Sequence, residues 1–203
     1  MNNKLLQLIV KALAFSAQKH RDQRRKDVQE TPYVNHPISL MDILVNEGAV
    51  YDTETLITAL LHDTIEDTET TFEEIEAEFG LVIASLVMEV SDDQSLSKLE
   101  RKAMQIHHAP NLSEKAKLVK LADKIANLRD IAHSPPKGWD LSRRQAYFDW
   151  AKDVIDGLRG AHQGQTTLMS LPVRQGTRRK RRLSSDLDQG NVLCSWHAID
   201  CFS

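Results

Sequence analysis

Apolar residues recur along this chain at intervals of three and four, and that spacing, more than any other feature, limits the folds open to it. Leu5, Leu8, Ile9, Ala12, Leu13 and Phe15 form one such stripe, and Leu56, Ala59, Leu60 and Ile65 form another. A 3.6-residue period puts these side chains on one face of a helix, whereas a half-buried strand alternates at every second position. Alternating patterns are hard to find in the sequence. Helix punctuation agrees: Thr70-Thr71-Phe72-Glu73 reads as a capping box, and Gly80 after Phe79 as a carboxyl-terminal stop. The spacing predicts helices over the amino-terminal stretch, 37–47, 54–67, 71–79, 81–90, 96–108, 114–131 and 141–159, with Ser113 capping the one that begins at 114. Ser134-Pro135-Pro136-Lys137-Gly138 reads as a loop. The fold class expected is therefore all-α.

The chain has 203 residues, enough for one well-buried domain and too few for two ordinary ones. Its longest apolar runs, such as Leu81 to Val87, fall far short of the roughly 20 residues of a bilayer span, so no membrane partner is expected. Lys4 and Lys11 interrupt the apolar amino terminus, which reads as an amphipathic helix rather than a secretion signal. The two cysteines, Cys194 and Cys201, lie near the carboxyl end and leave the body without a disulfide framework or thiolate site; a reducing, cytoplasmic setting is expected. Net charge is −3, divided between −6 over residues 1–160 and +3 over 161–203. An acidic body argues against general nucleic-acid binding, which depends on neutralising many phosphates. After Gly160 the helical period fades, and the sequence gains Gly, Ser, Gln and the run Arg178-Arg179-Lys180-Arg181-Arg182. We read residues 1–160 as the folded domain and 161–203 as a flexible appendage, its basic run a solvated one.

The densest chemical signal is Leu61-His62-Asp63-Thr64-Ile65-Glu66-Asp67-Thr68. On a continuous helix, positions 62 and 66, and 63 and 67, are i,i+4 pairs that share one broad side. Leu60, Leu61 and Ile65 imply burial, where unpaired carboxylates are costly and repel one another. A divalent cation resolves the conflict, and a mixed nitrogen and oxygen donor set suits Mn²⁺, Fe²⁺ or Zn²⁺ better than Ca²⁺. Further ligands must come from elsewhere. His36 precedes Pro37 at the entrance to a helix, and Asp123 interrupts an otherwise apolar helical face.

His36, then His62-Asp63, then Asp123 reproduce the H…HD…D metal pattern of the HD superfamily. The stretches RRKDVQETPYVNHP, ALLHDTIEDT, SKLERK, AKLVKLADKIANLRD and RRQAYFDW resemble more closely the hydrolase domain of bacterial RelA/SpoT enzymes and their small stand-alone animal relatives, the metazoan SpoT homologues. The resemblance spans about residues 4–160. It implies a helical bundle of about ten helices and one Mn²⁺ ion on His36, His62, Asp63 and Asp123. It also implies that Glu66 and Asp67 serve the hydrolytic water. Arg25 and Lys26 would contact the nucleotide, Lys98 and Arg143 its phosphates, and Asn127 and Tyr147 the sugar or base.

The reaction implied is hydrolysis of ppGpp, a small-molecule nucleotide, to GDP and pyrophosphate. Animal relatives of this kind also carry NADPH 2′-phosphatase activity, and both substrates present a phosphorylated ribose. A catalytically silent nucleotide-binding isoform is the third reading. After Gly160 the chain departs from the small relatives, which continue into a final charged and apolar helix. Oligomeric state leaves no trace in the sequence.

Overall fold

The computed structural model describes residues 3–159, and the predicted 161–203 appendage lies outside them. Among the described residues the chain forms α1 (Asn3–Lys19), α2 (Asn35–Asp42), α3 (Thr53–Leu61), α4 (Thr64–Asp67), α5 (Phe72–Phe79), α6 (Leu81–Val90), α7 (Lys98–His108), α8 (Glu114–His133) and α9 (Leu141–Gly157). A π-helical stretch, Ile43–Glu47, extends α2, and a 3₁₀ turn, Ala109–Asn111, follows α7. Eight of the α-helices run eight residues or more and α4 is a single turn, slightly fewer than the ten that the resemblance implies. Extended pairing among the described residues is confined to one isolated bridge, Arg24 to Pro32, so the all-helical expectation holds.

Helix α8 runs through the centre. Residues on nearly every side of it are buried, from Ala116, Leu118 and Val119 to Leu128 and Ile131, as expected of a helix surrounded by others rather than lying on a surface. Ser113 caps it, accepting from the Ala116 amide at 3.3 Å, as predicted. Two apolar clusters flank the site. One joins α2, α8 and α9 through Leu40, Leu44, Leu121, Val154 and Leu158. The other joins α1, α3, α5 and α6 through Ala12, Ile57, Leu60, Ile75 and Val87.

Helix α3 belongs to both clusters. Leu56 and Ala59 face the first, and Ile57, Leu60 and Leu61 face the second. Its carboxyl end, where His62 and Asp63 follow, is therefore clamped from two sides, and a residue locked in a close-packed core transmits little play to its neighbours.

Two predicted boundaries need correction. The continuous helix over 54–67 is broken between Leu61 and Thr64: Asp63 adopts φ −99°, ψ 0°, the sparsely populated bridge region where active-site residues often sit. The Thr64 hydroxyl donates to the Leu61 carbonyl at 2.6 Å and takes over an acceptor that a continuing helix would have used. The capping box expected at 70–73 does not form: Thr71, one residue later than the sequence pattern implied, is the N-cap of α5, and its hydroxyl accepts from the Glu74 amide at 3.2 Å.

Candidate metal centre and active site

Three elements bring the predicted metal ligands together. His36 lies in the first turn of α2, His62 and Asp63 form the break between α3 and α4, and Asp123 projects from the middle of α8. His36 Nε2 stands 3.1 Å from Asp123 Oδ1 and 3.9 Å from Asp63 Oδ2, and the two histidine rings are 5.2 Å apart. His62 Nε2 is 2.8 Å from Asp63 Oδ2. Donor atoms of His36, His62 and Asp123 all lie within 4.8 Å of one another.

The tautomer of His62 follows from its partner. Nδ1 is 2.9 Å from the Ala59 carbonyl, which can only accept, so Nδ1 carries the hydrogen and Nε2 offers a lone pair to the cluster. Nε2 is buried and has no hydrogen-bond partner although a carboxylate oxygen lies 2.8 Å away. A nitrogen and an oxygen this close without hydrogen-bond alignment suit two donors to a shared cation. The donor set of two imidazoles and two carboxylates also suits a borderline divalent metal. The residues fit the ion.

The electrostatics favour the ligating form of His36, Asp63 and Asp123, and His62 is the exception. Burial pushes His36 below the usual imidazole range in spite of Asp123 beside it, favouring the neutral, ligating form. Burial would lower His62 too, but the Asp63 carboxylate outweighs it and raises the ring. Burial alone would raise Asp63 and Asp123; His62 and His36 beside the first, and Lys124 and His36 beside the second, hold both carboxyls well below the usual range. Both acids are thus ionised and ready to ligate.

Outer partners fix these ligands. The Tyr33 hydroxyl donates to Asp63 Oδ2. Asn127 Nδ2 donates to Asp123 Oδ1 at 2.5 Å, consistent with its place one turn beyond Asp123. Lys124 Nζ donates to Asp123 Oδ2 at 2.9 Å. Burial pushes the Tyr33 phenol far above its ordinary range, with the Asp63 charge adding to the effect, so it remains a donor.

Glu66 and Asp67 stand on α4, one turn beyond the ligands. Glu66 Oε2 accepts from the Asp92 amide at 3.0 Å, and Asp67 Oδ2 from Gln23 Nε2 at 2.9 Å. Burial, then the charge of Asp63, pushes Glu66 up to about 7, and Asp92 adds to this against the opposing pull of its own amide and Lys120.

The metal-ligand pocket, about 210 Å³, adjoins a cleft of about 370 Å³, and Arg25, Tyr33, Asp67, Asn127 and Tyr147 line both. Of the predicted nucleotide contacts, Lys26 and Lys98 line the cleft from exposed positions. Arg25 reaches Asn127 Oδ1 at 3.4 Å and pairs with Asp130. Arg143 lines neither chamber; it is exposed and lies over the Trp139 ring at 4.5 Å.

Sequence reasoning gave no role to Gln23, Tyr33, Asp92, Lys120, Lys124 or Trp150. Tyr33, Lys124 and Trp150 fall inside quoted motifs, and proximity to His36, Asp123 and Tyr147 was their only signal. Gln23, through Asp67, and Asp92, through Glu66 and Lys120, act by tertiary contacts that no spacing announces.

Comparison with known proteins places this geometry. A family model described as "HD domain" matches residues 12–147. The chain is 56% identical over 155 residues to the guanosine-3′,5′-bis(diphosphate) 3′-pyrophosphohydrolase MESH1 of Xenopus tropicalis, covering 76% of this chain and 87% of that protein. It is 52% identical over 155 residues to the human protein of the same name, with the same coverage. A solved structure described as "A metazoan ortholog of SpoT hydrolyzes ppGpp and plays a role in starvation responses" superposes with a TM-score of 0.76 at 50% identity, covering 80% of this chain and 92% of the other. The matched span contains all four clustered ligands, and on that ground the chain belongs to the HD-domain family.

Proposed function

We propose that this chain hydrolyses guanosine 3′,5′-bis(diphosphate) to GDP and pyrophosphate, with one Mn²⁺ ion held by His36, His62, Asp63 and Asp123. The observation that carries the reading is the convergence of two imidazoles and two ionised carboxylates, with the unpartnered Nε2 of His62 among them, one turn from a carboxylate poised near neutrality. The relatives that bear this activity in their names share more than half of their aligned residues with the chain over most of its length. When bound, the ion supplies Lewis-acid polarisation of a phosphoryl oxygen and acidifies a water.

The chain's own residues do the rest. Glu66, with its pKa near 7, takes a proton from the attacking water at neutral pH, where a base is most effective. Asp67, held by Gln23, orients that water. The water oxygen forms a bond to the nearer phosphorus of the 3′-diphosphate, the bond from that phosphorus to the ribose 3′-oxygen breaks, and the sugar oxygen leaves as a hydroxyl by taking up the proton that Glu66 removed. Arg25 and Lys26, with Asn127 and Tyr147, border the cleft that receives the nucleoside; Lys98 supplies positive charge for its phosphates from the cleft wall, and Arg143 does so from outside it, over Trp139.

The catalytic unit in this reading runs over about residues 1–160, in the cytoplasm, and acts on a small molecule rather than on nucleic acid. No helix of the described residues is long and apolar enough to cross a membrane. Phosphorus NMR of ppGpp incubated with the purified chain and Mn²⁺ tests the reaction: GDP and pyrophosphate are the expected products. Orthophosphate in place of pyrophosphate would overturn the assigned bond cleavage.

A further inference from the structure

Helices α7 and α9 carry a cationic surface that the site described above does not use in full. Lys98 and Lys102 are one turn apart on α7 and so share a face. Lys102 Nζ lies 4.5 Å from the Trp150 ring centre and 5.4 Å from that of Tyr147. Trp150 lines the metal-ligand pocket, and Tyr147 lines both that pocket and the adjoining cleft, whose wall includes Lys98. Lys102 itself lines neither chamber; it stands against these two rings, of which Tyr147 borders both chambers.

Its electrostatic setting is one-sided. Among the described residues no carboxylate forms an ion pair with Lys102, and after burial the groups acting on it are Lys98, Lys124 and Arg143, all cations, which hold its ammonium below the usual range. The other central lysines are neutralised: Lys124 by Asp123 at 2.9 Å, and Lys120 by Asp92 at 3.6 Å. Like charges gathered without an acid oppose folding, and an anionic ligand reverses the sign of that cost.

The inference rests on the proposed substrate, which carries two diphosphate groups on opposite sides of one ribose. The group being cleaved must meet the metal ligands, Glu66 and Asp67. The other leaves with the product and needs cations of its own. We propose that Lys102 is a substrate-specificity residue that binds the uncleaved 5′-diphosphate, acting with Lys98 and Arg143 across the junction of α7 and α9. Stacking on Trp150 and Tyr147 limits the freedom of its side chain, so less entropy is lost when the phosphates arrive.

The test uses the full chain loaded with Mn²⁺, as wild type, Lys102→Met and Lys102→Arg. Each is assayed on ppGpp and on guanosine 5′-monophosphate 3′-diphosphate, which keeps the reacting group and loses one 5′-phosphate. Methionine preserves the apolar stem over the rings and removes the charge. The expected result is a KM for ppGpp raised about tenfold in Lys102→Met, the scale of one charge-assisted contact, with kcat little changed. A smaller rise is expected on the shortened analogue, and recovery in Lys102→Arg. An equal rise on both substrates, or a fall in kcat alone, would overturn the proposal and leave Lys102 a packing residue. Turnover by wild type tests the parent activity separately, and a wild type that cleaves neither compound overturns both readings.

Discussion

Replacing Lys124 by methionine isolates a buried charge contact at the metal centre. Lys124 is 3% exposed, donates to Asp123 Oδ2 at 2.9 Å and lies 4.7 Å from the Trp150 ring centre. Methionine retains most of the stem volume, so the loss is chiefly of charge. Removing one partner of a buried pair costs about 3–5 kcal/mol, because the other is left ionised in a poor solvent. Asp123 keeps two donors, His36 Nε2 at 3.1 Å and Asn127 Nδ2 at 2.5 Å, which places the expected loss near the lower end, about 3 kcal/mol. With a urea dependence of about 2 kcal/mol per molar, the metal-free unfolding midpoint should fall by about 1.5 M. Adding Asp123→Asn removes the stranded charge, so the double variant should recover more than half of the loss. Equilibrium urea unfolding followed by helical circular dichroism, without metal, measures all four members of the cycle. A loss below about 1 kcal/mol in Lys124→Met, or no recovery in the double variant, would refute the reasoning.

Glu66 must be ionised to accept a proton, and its pKa of about 7 means that kcat/KM is lost as pH falls through that value, at about tenfold per unit well below it. Asp92→Asn removes a negative charge that raises Glu66, so the acid limb of the pH–rate profile should move to lower pH; an unmoved limb would argue against Glu66 as the base. Tyr33→Phe deletes the hydroxyl that holds Asp63, and should weaken Mn²⁺ binding by about 10–100-fold in calorimetric titration; unchanged affinity would separate Tyr33 from the metal site. Leu60→Ala opens a cavity at a fully packed position of α3 and should cost about 2–5 kcal/mol in chemical denaturation, whereas a loss under about 1 kcal/mol would mean that the two clusters do not clamp this helix.

Much of the fold was legible in the sequence, because amphipathic helices advertise themselves by period. The stripe of α1 and the bounds of α6 and α7 follow from it closely. The break at His62-Asp63 was not legible: Leu60, Leu61 and Ile65 keep a helical period straight through it. What divides α3 from α4 is a hydroxyl contact from Thr64 and the bridge-region backbone of Asp63, neither of which alters the apolar pattern. The ligand residues stood out because His and Asp at apolar positions are costly without a shared charge. Lys124 did not, since a lysine in sequence reads as solvated; its burial depends on Asp123 beside it and on Trp150 brought in from α9. The pairing of Arg25 with Asp130, 105 residues apart, is of the same kind: tertiary structure alone creates it.

The most direct test of the account is release of pyrophosphate from ppGpp by the purified chain, with Mn²⁺ and after chelation, in wild type and in Asp63→Ala. Asp63 holds its charge beside the two imidazoles, 2.8 Å from His62 Nε2 and 3.9 Å from His36 Nε2, so the account predicts Mn²⁺-dependent release by wild type, its loss with chelator, and none from the variant. Release that survives chelation, or full Mn²⁺-dependent release by Asp63→Ala, would contradict it.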